Sequence, residues 1–216
     1  DFNELVNEFT DGYYEEAGPF VRQYVDLVHN KLKEDDDFFL FLYGDPSEAF
    51  DSYLSPELLG KYDAIFDQAE AAVASKPEIE ERVKAARLSV DYAILEASRK
   101  NLTKEFSLLT KENGKSVENR VVKKLLEDFK STCGKKNITL MNEMGFTVDE
   151  YYSNYLSALE VAKKPNKALG KMVTTLTKPK KYADENPSVL TDGALGGSSF
   201  YANWLGYEGI IWKWSL

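Results

Sequence analysis

PEIEERVKAARLSVDYAILEASRK, residues 77–100, carries its apolar and small side chains at helical spacing. Ile79, Val83, Ala86, Val90, Ala93 and Ala97 advance by alternating steps of four and three, which lines one face of a 3.6-residue repeat. Pro77 stands at the first helical position, where its missing N–H costs nothing. The face is small in the middle, so a neighbouring helix can approach closely there. The spacing predicts a helix built to sit against others.

The same period runs outward in both directions. Val21, Val25, Val28 and Leu32, widened by Phe20, Tyr24 and Leu27, predict a long helix ending in the acidic run at residues 34–37. Ser55 caps a second, with Pro56 at its first position and Leu58, Tyr62, Ile65, Ala69 and Ala72 along its stripe to about Ser75. A fourth is expected from a cap at Ser116, through Val121, Val122, Leu125, Phe129 and Cys133, to Gly134. Thr147 with Glu150 three residues on is a capping box opening a fifth, which carries Val148, Tyr152, Tyr155, Leu159 and Ala162. The expected fold class is mainly α: an antiparallel bundle of about five helices over residues 1–165. The apolar stretch FFLFLY, residues 38–43, is expected to pack beneath it.

Composition changes near Pro165. Residues 164–216 hold seven Lys and four acidic side chains, whereas the preceding residues carry 20 basic against 32 acidic. All three Trp and six of the thirteen Gly also fall in this tail. Its alternation at Met172, Thr174 and Leu176, and again over residues 211–216, predicts three or four strands, so residues 166–216 read as a short β segment.

Charge and length exclude several classes. A formal charge of −9 repels phosphate backbones, and no basic stripe offsets it, so nucleic acid is not an expected partner. No apolar run approaches the ~18 residues that a membrane-spanning helix needs. With Cys133 the only cysteine and His29 the only histidine, neither an intrachain disulfide nor a Cys/His zinc site can form.

The chemistry-bearing candidates are few. His29 stands alone at the polar edge of a helix, and the carboxylate runs Glu15-Glu16, Asp35-Asp36-Asp37 and Glu80-Glu81 have the placement of solvated faces. Tyr13, Tyr14, Tyr24, Tyr43, Tyr53 and Tyr62 cluster in the first third; flat amphipathic rings serve equally as core and as sugar-stacking surfaces. Beside them Arg22 reaches either a substrate hydroxyl or Asp26, four residues on. Arg22 and Tyr14 are the substrate-binding candidates. Asn142-Glu143 either caps a helix or lines a groove. Thr191-Asp192-Gly193 has the composition of an ordinary turn or of a calcium loop completed by backbone carbonyls, with Asp192 as the metal candidate.

Two resemblances rest on these residues. The tail KPKKYADENPSVLTDGALGGSSFYANWLGYEGIIWKWSL resembles the opening of the discoidin-type (coagulation-factor C-type) galactose-binding-like β-sandwich appended to bacterial glycoside hydrolases. The stretches GYYEEAGPFVRQYVDLVHNKL, SPELLGKYDAIFDQAEAAV, RVKAARLSVDYAILEASRK and MGFTVDEYYSNYLSALE resemble the helical region that follows the catalytic barrel in bacterial glycoside-hydrolase-like proteins of unknown function. The resemblance implies a non-catalytic accessory segment of a secreted, periplasmic or cell-surface carbohydrate-active protein. It further implies a glycan or polysaccharide partner, an upstream barrel, an incomplete sandwich whose missing strands lie elsewhere in the parent protein, and a structural calcium near Asp192. The rival readings are an independent glycan-acting hydrolase using carboxylates of the helical domain, and a helical protein-interaction scaffold.

Overall fold

Six α-helices occur among the described residues: α1 (Phe2–Tyr14), α2 (Gly18–Lys33), α3 (Pro56–Ala72), α4 (Pro77–Arg99), α5 (Arg120–Lys135) and α6 (Val148–Ala162). The structure is a computed structural model describing residues 1–39, 44–102, 105–113, 115–174, 187–191 and 193. The fold is mainly α. A two-stranded antiparallel sheet, β1 (Leu109–Glu112) and β2 (Lys115–Glu118), lies between α4 and α5, with Leu109 opposite Glu118 and Glu112 opposite Lys115.

Local signals set most boundaries. The Ser55 hydroxyl accepts from the Leu58 amide, and Thr147 and Glu150 form the reciprocal capping box at the start of α6. Asp1 and Glu4 form a second capping box, which starts a helix absent from the expected set. Ser116 corrects another expectation: it pairs with Lys111 in the sheet, and the cap of α5 is Asn119. Asn113-Gly114, a dipeptide favoured in two-residue hairpin turns, is the sequence signal for this sheet, and Asn113 has φ 50°. Val121, expected in the stripe, is 58% exposed while Val122 and Leu126 are buried.

Helix α4 is the centre of the molecule. One core cluster packs Val21, Leu59, Tyr62 and Phe66 with Val83, Val90, Ile94 and Ala97 of α4. The second packs Leu95 with Val122, Leu126, Phe129, Tyr151, Tyr155 and Leu159. Residues 93–99 are buried all round because α4 serves both, and each fully buried Leu, Ile or Phe contributes roughly 1.5–3 kcal/mol.

Close approach fixes the α1–α2 corner. A Cβ at Gly18 would lie 2.7 Å from the Thr10 carbonyl oxygen, so only glycine lets α2 start so near α1. Lys76 then bridges Glu15 at 2.7 Å and Glu16 at 2.6 Å, tying that corner to the residue before α4. Between α5 and α6 the Asn142 side chain accepts from the Met144 and Phe146 amides, so this residue shapes a turn. Phe38 packs edge-on against Tyr53 while Phe39 is largely exposed; the remainder of FFLFLY lies outside the described residues. In the tail, Met172 and Thr174 carry no strand, residues 187–190 form a 3₁₀ turn, and the expected strands beyond them lie outside the described residues.

Candidate functional site

The substrate-binding candidates both lie on the α1–α2 pair. The Arg22 guanidinium donates to Asp26 at 2.8 Å, to the Asn7 side chain at 3.0 Å, and to the side chain and carbonyl of Asn3 at 3.0 and 3.4 Å. One donor is held by Asp26 on its own helix and the others tie α2 to Asn3 and Asn7 of α1. Tyr14 is half-buried, with edge contacts to Phe9 and Tyr13, and burial followed by the neighbouring Tyr13 raises its phenol pKa. Asp192, the metal candidate, lies outside the described residues. Among those described, no group of three or more His, Cys, Asp and Glu side chains is placed to hold a metal ion. His29 is exposed.

The structure opens two clefts beside α4. The first, of about 300 Å³, brings Phe38, Tyr53 and Tyr92 together with Asp45, Glu48 and Ser89. Local chemistry builds it: Asp45 caps the 3₁₀ turn Pro46–Ala49 by accepting from Ser47, and Phe38 and Tyr53 meet edge-on with centroids 5.3 Å apart. The buried Tyr62 donates to the Tyr53 carbonyl at 2.8 Å, and Tyr24 meets the Ser89 hydroxyl at 3.4 Å. The tyrosine cluster thus divides: Tyr62 and Tyr24 are packed in or against the core, and Tyr53 faces a cleft. Partial burial, then the like charge of Asp45, raises the Glu48 pKa, and burial, then Glu96 and Asp45, raises that of Tyr92.

The second cleft, of about 320 Å³, lies between α3, α4 and α5. Arg87 on α4 pairs with four carboxylates: Asp63, Asp67 at 2.8 Å, Glu70 at 2.9 Å and Asp91 at 3.3 Å. Asp63, Asp67 and Glu70 share one face of α3 at i, i+4 and i+7, opposite the i, i+4 pair Arg87 and Asp91. The two partners respond differently to burial. Burial opposes the Arg87 charge, but Asp63, Asp91 and Glu70 more than restore it, and the guanidinium pKa rises. Asp91 faces one cation and two like charges, so burial, only partly offset by Arg87, pushes its carboxyl up to about 7.

Sequence reasoning named Tyr53 but missed Phe38, Asp45, Glu48 and Tyr92 as one cleft, and missed the Arg87 cluster. The α3 spacing of Asp63, Asp67 and Glu70 was the available signal for the second. Comparison with known proteins returns no matching family model, no matching curated protein and no matching solved structure.

Proposed function

We propose that this chain is a non-catalytic accessory region of a carbohydrate-active, glycoside-hydrolase-like protein that is secreted, periplasmic or surface-attached, and that its helical module contacts a glycan at the Phe38–Tyr53–Tyr92 cleft. The observation that carries this reading is the sharing of one 300 Å³ cleft by three aromatic rings and the carboxylates of Asp45 and Glu48. Rings stack on the apolar face of a sugar while carboxylates accept from its hydroxyls, and the volume is at the lower end of the small-molecule range.

The support role draws on α1. Phe2, Leu5 and Phe9 are 73%, 64% and 57% exposed on one side of that helix, an apolar seam suited to a neighbouring domain such as a catalytic barrel. In the tail the reading keeps a partial sandwich and a structural calcium at Asp192; a rise in melting temperature with millimolar calcium, abolished in Asp192→Asn, would support that cation.

The test is a glycan array followed by titration calorimetry with the best oligosaccharide. Tyr53→Ala is expected to weaken binding about tenfold or more, and Tyr53→Phe to retain most of it, because stacking needs the ring and not the hydroxyl. Binding unaffected by Tyr53→Ala in a folded variant, or no oligosaccharide bound at all, would overturn the reading. The rival hydrolase reading draws on the gathering of Asp63, Asp67, Glu70 and Asp91 around Arg87 beside a cleft; release of reducing sugar by wild type and not by Asp91→Asn would select it.

A further inference from the structure

Helix α1 turns an apolar seam to solvent with the spacing of a coiled-coil stripe. Phe2, Leu5 and Phe9 step by three and four, Tyr13 follows four residues on, and all four side chains are exposed along about 16 Å of helix. Phe9 and Tyr13 stack with ring centroids 5.4 Å apart, so the seam is continuous at that end. In heptad terms Phe2 and Phe9 stand at a, and Leu5 and Gly12 at d. A Cβ at Gly12 would meet no atom within 4 Å, so this d position is an open gap beside the two rings. One flank of the seam is charged: Glu4, Glu8 and Asp11 repeat at i, i+4 and i+7. Glu4 closes the capping box with Asp1, whereas Glu8 and Asp11 have no cation within ion-pair distance among the described residues. The Arg82 guanidinium, 4.7 Å over the Tyr13 ring, is already paired with Glu78.

We propose that the α1 seam docks an amphipathic helix of a neighbouring polypeptide whose apolar stripe is bordered by lysine or arginine. The proposal rests on the support role given to α1 above and names the chemistry of what α1 supports. Steps of three and four are those with which one helix sets its side chains into the spaces of another. Glu8 falls at g, the position from which an acidic side chain reaches a cation on the facing helix. Gly12 lets a large side chain of the partner enter between the rings. Three partly exposed aromatic rings and a leucine present on the order of 400 Å² of apolar surface, the size of patch that marks contact sites on soluble proteins.

The acidic row selects among the occupants an apolar seam could take. An anionic lipid surface would meet Glu4, Glu8 and Asp11 as like charges. A second copy laid antiparallel along the seam would set the two acidic rows side by side, and each copy carries a formal charge of −9. An edge strand finds no partner, because the backbone groups of α1 are bonded within the helix. A helix with a basic border turns the row from repulsion into attraction. Exposed ion pairs are individually weak, so the apolar stripe carries the affinity and the row carries the choice and orientation of the partner.

Fluorescence anisotropy of labelled three-heptad helical peptides against the full chain tests the proposal. One peptide carries leucine at a and d with lysine at e and g; its counterpart carries glutamate at e and g. The lysine peptide is expected to bind about tenfold or more tighter than the glutamate peptide at low salt, with the gap narrowing as salt rises. Leu5→Gln, at an exposed position, should weaken lysine-peptide binding about tenfold, and Gly12→Gln, which fills the open gap, a few-fold. Glu8→Lys should shift the preference toward the glutamate peptide, a change that mere unfolding does not produce. Tyr53→Ala should alter none of these. Equal binding of the two peptides, lysine-peptide affinity unchanged in both Leu5→Gln and Glu8→Lys, or no binding at high micromolar concentration would each overturn it. So would a dimer of the chain that Leu5→Gln dissociates, or binding to phosphatidylcholine–phosphatidylserine vesicles that Leu5→Gln abolishes. Binding of a hydrophobic dye that falls in Leu5→Gln, with neither peptide bound, would overturn the basic helix and leave the support role standing.

Discussion

Tyr151 on α6 donates its phenolic hydrogen to Oε1 of Glu96 on α4 across 2.8 Å, and both side chains are buried where the second core cluster closes. Burial raises the Glu96 pKa, opposed by Arg99 and by this hydrogen bond. Tyr151→Phe keeps the ring and removes the donor, so it should cost about 1–3 kcal/mol, the penalty of an unanswered buried acceptor. Glu96→Gln leaves an acceptor for the phenol but takes the negative charge from beside the buried Arg99 guanidinium 3.7 Å away, so it should cost at least as much. Urea unfolding midpoints of the two variants decide the order, and a Tyr151→Phe midpoint equal to wild type would show that the pair contributes nothing.

Asp91 gives stability a specific pH dependence. Its folded-state pKa of about 7 lies above the ordinary 3.8, so the folded protein holds this proton through a window in which the unfolded chain has released it. Stability from this group is present below pH 4, declines as pH rises, and is lost by about pH 7, for a total of about 4 kcal/mol. Glu81 and Glu118, whose pKa values are lowered chiefly by hydrogen bonds to Lys135 and Lys163, lose stability on acidification in any variant and cancel in a comparison. Asp91→Asn cannot ionise, and Arg87 keeps Asp63, Asp67 and Glu70. The stability of Asp91→Asn relative to wild type should therefore rise from pH 4 to pH 8, and a flat difference would contradict the burial of this charge.

The exposed seam of α1 predicts a separation of stability from surface behaviour. Leu5→Gln changes a side chain that points to solvent and should shift unfolding by no more than about 0.5 kcal/mol, whereas Phe9→Gln also loses the ring contacts to Tyr13 and Tyr14 and should cost about 1 kcal/mol more. The two substitutions combined should reduce binding of a hydrophobic dye and lower affinity for any domain that docks there. A large loss of stability would show instead that the seam is packed within the chain.

Local signals carried the legible part of this fold. Ser55-Pro56 and Thr147 with Glu150 announce helix starts through atoms within four residues, and the structure uses them so. Helix α1 has an equally local box in Asp1 and Glu4, but Phe2, Leu5 and Phe9 turn outward and leave Thr10 as its one buried residue, so the stripe does not describe a buried face. The Arg87 cluster was legible only in halves. Asp63, Asp67 and Glu70 read as a polar face of α3, and Arg87 with Asp91 as an i, i+4 pair on α4; that the faces meet depends on the packing of two helices. The aromatic cleft likewise joins Phe38, the turn at Asp45 and Tyr92 on α4, which are distant in sequence.

The start of α5 separates a helix cap from a merely suitable residue. Ser116 has the composition of a cap but lies in β2 and is exposed, so Ser116→Ala should be within about 0.5 kcal/mol of wild type. Asn119 is buried and uses both ends of its amide: Oδ1 accepts from the Val121 amide at 3.1 Å, while Nδ2 donates to the carbonyls of Glu105 at 2.6 Å and Ser107 at 2.9 Å. Asn119→Ala loses the cap and both bonds donated by Nδ2, and should cost about 2–3 kcal/mol. Asn119→Asp keeps an acceptor for the cap but turns a carboxylate toward both carbonyls, so it should recover little or none of that loss. If Asp restored stability, the cap alone would account for Asn119; if Asp is as damaging as Ala, the amide's donors are what hold the chain before the sheet against the start of α5.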